Sequence, residues 1–174
     1  MEITAGMVKA LREETGAGIM DCKRALSDTA GDVEKAKAIL REKGLASAAK
    51  KESRDTSQGL VEVYIHGGGR IGAMVELNCE TDFVARTDEF KGLARDIAMQ
   101  VVALNPRFVS PDSAPAATIE AEGLSEEDVK NASITTQAYF RDPKLTVGEK
   151  IKEVIAKSGE NIRVRRFERY ELGR

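Results

Sequence analysis

The chain has 174 residues, 41% of them hydrophobic and 32% charged, and a net charge of −2. That length suits one domain, or a small module joined to a larger one, and it can bury a core without disulfide or metal staples. The charge balance excludes a purely electrostatic grip on nucleic acid, which needs a basic excess, and no apolar run approaches the roughly 18 residues of a membrane span.

Residues 1–45 read as three short helices. Thr4 can cap the first, which sets Met7, Val8 and Leu11 on one side. Gly16 and Gly18 break the chain. A second helix carries Ile19, Cys22 and Leu26 at helical spacing and stops at Gly31. Asp32 caps a third, with Val33, Ala36 and Leu40 inward and Gly44 as its C-terminal stop. Residues 46–58 lose apolar periodicity and read as a polar linker.

From residue 59 the period becomes two. Val61, Val63 and Ile65 alternate with Glu62, Tyr64 and His66; after Gly67-Gly68-Gly69 the alternation resumes through Ile71, Ala73, Val75, Leu77 and Cys79. Two such runs joined by glycines predict a β-hairpin. Phe90, Leu93, Ala94, Ile97, Ala98 and Val101 then follow the clearest helical stripe in the chain, which Asn105-Pro106 ends. Residues 109–145 have weak periodicity beyond a short helix from Ser125. Thr146-Val147-Gly148-Glu149 is a capping box opening a helix with Val147, Ile151, Val154 and Ile155 inward, and Gly159 stops it. Residues 161–171 read as a third strand whose apolar phase slips between Val164 and Phe167, predicting a bulge near Arg165-Arg166. The fold class is α+β: a helical N-terminal module at 1–45, a linker at 46–58, and a core at 59–174 with helices on one face of a three-stranded antiparallel sheet.

The residues offer little for catalysis. His66 is the only histidine. A Cys79–His66 pair with Asp82 could be drawn as a thiol hydrolase, but Cys79 shares the inward phase of Val75 and Leu77, where a free thiol is a small core hydrophobe. Gly67-Gly68-Gly69 joins two strands and lacks the Lys-Ser/Thr of a phosphate loop. No metal-ligand spacing links Cys22 to Cys79, so neither metal nor cofactor is expected. Two free thiols, with no basic leader before an apolar run, suit the cytoplasm. The basic pairs and clusters, Lys50-Lys51 and Arg163, Arg165, Arg166 and Arg169, read as solvated edges.

The unusual stretch is Asn78-Cys79-Glu80-Thr81-Asp82-Phe83-Val84-Ala85-Arg86, which puts an apolar pair where a turn should be polar. Asp82 could cap a helical turn while Phe83 plugs the core; alternatively a rigid scaffold presents an aromatic wedge beside a carboxylate.

Three blocks resemble the elongation factor Ts family: Thr15-Gly16-Ala17-Gly18-Ile19-Met20-Asp21-Cys22-Lys23-Arg24-Ala25-Leu26; Arg70-Ile71-Gly72 continuing through Val75 to Ala85; and Gly159-Glu160-Asn161-Ile162 with Arg165-Arg166-Phe167. The resemblance implies a ubiquitin-associated-like three-helix module ahead of an α+β core. It also implies a non-enzymatic guanine-nucleotide exchange factor for the GTPase elongation factor Tu. By that resemblance Thr81, Asp82, Phe83 and Val84 press on the partner's Mg²⁺ and phosphate site, with Phe83 as wedge and Asp82 disturbing the ion. Arg12, Ile19, Met20 and Lys23 match partner contacts of the helical module, and His66 matches a contact of the core. No direct nucleic-acid or membrane partner is implied.

The sequence departs from the family in three places: Ile19 where Met is frequent, Gln100 where His is frequent, and a short 109–136 segment in place of a protruding coiled coil. It carries the core pattern once and so resembles short forms, some of which dimerise. The competing readings are a docking module without exchange activity, an RNA-binding translation protein, and the Cys79 hydrolase.

Overall fold

The computed structural model describes residues 3–174. The chain begins with helices α1 (Ala5–Thr15), α2 (Ile19–Asp28) and α3 (Val33–Ala49). Thr4 accepts from the Met7 amide and Asp32 from the Lys35 amide, so both predicted caps form. Val8, Leu11, Cys22, Ala25, Leu26, Ala36 and Leu40 make a small core of their own.

Two local expectations fail in this region, and a third holds. Helix α3 runs through Gly44 and ends at Ala49. Leu45-Ala46-Ser47-Ala48-Ala49 is rich in helix formers, and Ala48 is buried in the main core. Gly44 instead permits close packing: a Cβ there would lie 3.1 Å from the Cβ of Ala156. Val33 is 37% exposed rather than inward, because it opens the helix on the rim. Helix α2 ends at Asp28 with Thr29 as its cap, and the expected stop forms there: the Gly31 amide, at φ +87°, donates to the Leu26 carbonyl at 2.8 Å.

Residues 50–57 hold no helix or strand, yet they are tied to the core by Asn161, as detailed below. Strands β1 (Gln58–His66) and β2 (Ile71–Cys79) follow as the expected antiparallel hairpin. Then come α4 (Asp82–Ala85), α5 (Asp88–Leu104), α6 (Ala116–Glu122), α7 (Glu126–Asn131), β3 (Ala138–Tyr139), β4 (Asp142–Thr146), α8 (Val147–Ser158) and β5 (Ile162–Glu171). The main sheet has the order β1-β2-β5, antiparallel throughout. Glu76 pairs with Arg166 and Leu77 with Val164, so Arg165 is the extra residue of a bulge where the apolar phase slipped.

The main core lies between one sheet face and α5 and α8. Val75, Leu77 and Cys79 of β2, Phe90, Ile97 and Val101 of α5, and Val147, Val154 and Ile155 of α8 meet there. Both helices bury the stripes that their periodicity marked, and the Thr146–Glu149 capping box forms in full. Strand β1 is inverted relative to its hydrophobic pattern. Leu60, Glu62 and Tyr64 face inward and half-buried, while Val61, Val63 and Ile65 are exposed. Arg95 of α5 accounts for the polar inner phase: it pairs with Glu62 at 3.0 Å and lies 4.6 Å over the Tyr64 ring.

The poorly patterned middle segment supplies α6, α7 and a two-stranded β3–β4 hairpin. Ser125 caps α7 by a reciprocal box with Asp128. Gln100 is fully buried and holds the hairpin to α5, donating to the Ala138 carbonyl at 2.9 Å and accepting from the Phe140 amide at 3.1 Å.

Candidate functional site

The chain leaves β2 at Cys79 and turns through Glu80 and Thr81 into the single-turn helix α4. Thr81 is the cap of that turn, its hydroxyl accepting from the Val84 amide at 3.4 Å. Asp82 is therefore not the cap; it stands in the first turn and pairs with Arg86 at 2.8 Å. Phe83 is not a core plug either. It is 80% exposed, a high value for a phenyl ring on a chain whose other phenylalanines are all less exposed. Its neighbours anchor the turn instead: Ala85 is buried and Val84 packs against the main core. One turn thus has an anchored side and a presented side, with carboxylate and phenyl on the presented side.

The base of this tip is clasped from two directions. The Glu160 carboxylate accepts from the Thr81 hydroxyl at 2.6 Å and from the Thr81 amide at 3.0 Å. Reciprocally, the Glu80 carboxylate accepts from the Asn161 amide at 2.6 Å and meets Arg54 at 3.4 Å. The Asn161 side chain, almost fully buried, donates to the carbonyls of Glu52 and Arg54 at 3.1 and 2.9 Å. Three chain segments therefore converge beneath Asp82 and Phe83. Sequence reading took Glu160 and Asn161 only as part of a recognisable block; their side chains reach partners 79 residues away for Glu160 and 107 and 109 residues away for Asn161, which no local pattern reveals.

Cys79 is buried, and its thiol donates to the Thr81 carbonyl at 3.1 Å. Burial, followed by the nearby Glu160 charge, pushes its pKa up to about 11. His66 cannot assist it. His66 pairs with Ile71 at one end of the hairpin, while Cys79 pairs with Gln58 at the other, roughly 26 Å away at strand rise. A protonated, buried thiol without a base is not a nucleophile. Among the described residues no group of His, Cys, Asp and Glu is placed to hold a metal ion, and no helix is long and apolar enough to cross a membrane.

The remaining sequence-derived residues are dispersed. Ile19 and Met20 are 54% and 67% exposed at the start of α2, with Lys23 exposed one turn on and Arg12 exposed on α1. Ile19 thus has helical spacing with Cys22 and Leu26 yet stands outside their core. His66 is exposed beside the glycine turn, its Nδ1 2.9 Å from the Tyr64 hydroxyl. The chain presents three separate surfaces: the α4 tip, the α1–α2 face, and the far hairpin end.

A family-wide sequence pattern described as "Elongation factor TS" matches residues 19–133. Proteins named "Elongation factor Ts" from Heliobacterium modesticaldum, Caldanaerobacter subterraneus subsp. tengcongensis and Herpetosiphon aurantiacus are 51%, 49% and 48% identical to it. The alignments cover 98%, 98% and 99% of this chain and 90%, 97% and 99% of the relatives. They extend over 194 to 196 positions, longer than this chain, so the relatives carry residues that it lacks. With a family pattern spanning most of its length and relatives matched nearly end to end, the chain belongs to the elongation factor Ts family.

Proposed function

We propose that this protein binds the GDP-loaded GTPase elongation factor Tu and promotes release of the nucleotide. The observation that carries the reading is the 80% exposure of Phe83 on a turn whose other side is buried. A phenyl ring held in water contributes nothing to the fold, and a rigid mount lets it enter a partner with little ordering cost. Phe83 then acts as a wedge against the partner's phosphate-binding region. Asp82 brings a carboxylate toward the Mg²⁺ that holds the β-phosphate, competing for the ion or repelling its ligands. Thr81 and Val84 fix the turn, and Arg12, Ile19, Met20, Lys23 and His66 extend the contact.

Exchange of this kind makes and breaks no covalent bond in the chain, so no catalytic group is required. Its thermodynamics are those of linkage: a factor that prefers the nucleotide-free partner must weaken GDP by the same factor. A coupling of about 3 kcal/mol corresponds to about 150-fold. RNA binding is the weaker alternative, because Arg165 and Arg166 both pair with Glu76, and Arg169 pairs with Glu171.

Two copies of the chain also associate in this reading, through the sheet face opposite α5. That face exposes Val61, Val63, Ile65, Met74 and Tyr170, apolar side chains clustered on paired strands. Sedimentation of wild type and Val63→Glu tests it: a dimer that the charge dissociates supports the pairing, and a wild-type monomer at high concentration refutes it.

Stopped-flow release of fluorescent GDP from elongation factor Tu tests exchange itself. Substoichiometric wild type should empty many equivalents, and folded Asp82→Ala/Phe83→Ala should not. A folded wild type that binds without accelerating release is a docking module, and the proposal fails.

A further inference from the structure

We infer that Glu160 and Asn161 are positioning residues for nucleotide exchange, forming a clasp that holds the Asp82–Phe83 tip in its presenting geometry. The inference rests on the exchange reading above but concerns residues that reading does not use.

The argument starts from what a four-residue helix lacks. One turn cannot sustain itself, because helix nucleation fixes several dihedrals for a single hydrogen bond. The Thr81 cap on α4 is also long, at 3.4 Å. Phe83 adds no burial to hold it, and the Asp82 carboxylate is itself about half exposed. Something outside the turn must set its orientation.

Glu160 is placed to do so. Both of its carboxylate oxygens engage Thr81, one on the hydroxyl and one on the amide, at 2.6 and 3.0 Å. Bidentate, charge-assisted bonds fix direction as well as distance. They grip the residue immediately before Asp82, and they orient the same hydroxyl that caps α4. The Gly159-Glu160-Asn161 segment is itself anchored, since it joins the end of α8 to the start of β5, with Ile155 and Ile162 buried on either side.

Asn161 closes the other half. Its amide donates to Glu80, and its side chain spans the Glu52 and Arg54 carbonyls. Arg54 returns to Glu80. The segment between α3 and β1 is thereby fastened to the same point as the tip. The clasp accordingly fixes two distances in one place: tip to sheet, and tip to the chain leading back to the helical module.

The test begins with the free protein. Exchange of the Thr81 amide proton is followed by NMR in wild type and Glu160→Gln, with circular dichroism and thermal melting to establish that both are folded. The clasp predicts exchange faster by roughly tenfold or more at Thr81 in the variant, with little change at the buried amides of β2. Fluorescent GDP release from elongation factor Tu is then titrated for wild type, Glu160→Gln, Phe83→Ala and the double variant. The maximal release rate should fall several-fold in Glu160→Gln while half-saturation changes less. In the Phe83→Ala background the same substitution should cost less than about twofold, because there is no wedge left to aim. Glu160→Ser, too short to reach Thr81, serves in place of Glu160→Gln if that variant does not fold.

Unaltered Thr81 exchange, or losses that multiply fully with Phe83→Ala, would overturn the inference; the second result would mean that Glu160 touches the partner directly. If wild type itself releases no GDP, the exchange reading falls and the clasp's functional role falls with it. The amide measurement separately decides whether the clasp holds the tip.

Discussion

Replacing Gly59 by alanine should damage the protein far more than the same change at Gly68, although both glycines belong to the β1–β2 hairpin and its turn. Gly59 has φ +146°, and a Cβ built there would fall 2.1 Å from the carbonyl oxygen of Leu77. Gly68 has φ +67° with nothing within 4 Å of its Cβ. At Gly68 the alanine meets only the left-handed penalty, about 1–2 kcal/mol, partly offset by the less flexible unfolded chain. At Gly59 a backbone strain of about 1–3 kcal/mol adds to an overpacking cost of about 1–3 kcal/mol, because a strand carbonyl cannot rotate away. The total is about 2–6 kcal/mol, a large part of the stability of an ordinary domain. At about 2–4 °C per kcal/mol for a chain of this size, Gly59→Ala should melt below Gly68→Ala, by several degrees at the middle of these ranges. Urea denaturation and thermal melting of the two variants beside wild type measure this directly. Equal melting points would refute the close strand approach at Gly59. Because Gly59 pairs with Asn78, just ahead of Glu80 and Thr81, a folded Gly59→Ala should also release GDP more slowly than Gly68→Ala.

Further outcomes follow from single contacts. Cys79 should resist thiol alkylation at neutral pH in the folded protein and react on denaturation, as a thiol-counting assay would show. Its folded pKa, about 11, lies above the ordinary 9.0, so the folded state keeps the proton longer. Stability should be unaffected by this group below pH 9 and fall as pH rises from 9 toward 11, a slope that Cys79→Ala should flatten. Thr146→Ala removes the hydroxyl of the capping box that starts α8 and should cost about 1 kcal/mol in urea denaturation. Arg41→Ala breaks the half-exposed pairs with Glu149 and Glu153 at 3.2 and 3.8 Å and should cost about 1 kcal/mol or less, diminishing with added salt.

Much of the architecture was legible because the elements obey their own periods. The Phe90–Val101 stripe, the Thr146 box and the phase slip at Arg165 each appear where spacing placed them. Gly44 misled because a glycine after a helical stripe resembles a C-terminal stop, whereas its purpose is to admit Ala156 on another helix. The inward phase of β1 was illegible for a similar reason. Its better apolar set, Val61, Val63 and Ile65, faces out, and the inward choice depends on Arg95, some thirty residues on. Residues 109–145 gave little because their hairpin is held by scattered contacts, the buried Tyr139 and Leu145 and the polar bonds of Gln100 and Asp96, rather than by an apolar repeat.

At the candidate site, the residue types were legible and their orientation was not. Periodicity could not decide whether Phe83 filled the core or faced water, since a four-residue helix is shorter than any reliable period. The outcome depended on Val84 and Ala85 taking the inward positions. The resemblance to a known family supplied the role that spacing could not. Glu160 and Asn161 carried no local signal of their partners, which lie on the far side of the core domain in sequence.

The most direct measurement is the rate of GDP release from elongation factor Tu as a function of added Phe83→Ala, beside wild type and with binding followed independently by calorimetry. With the phenyl ring 80% exposed, the substitution should leave the melting temperature unchanged. The account predicts that the variant still binds the partner through its other surfaces, while the maximal release rate falls by at least about tenfold, a loss of about 1.4 kcal/mol of transition-state stabilisation. Release at the wild-type rate by a folded Phe83→Ala would contradict it and remove the wedge from the mechanism.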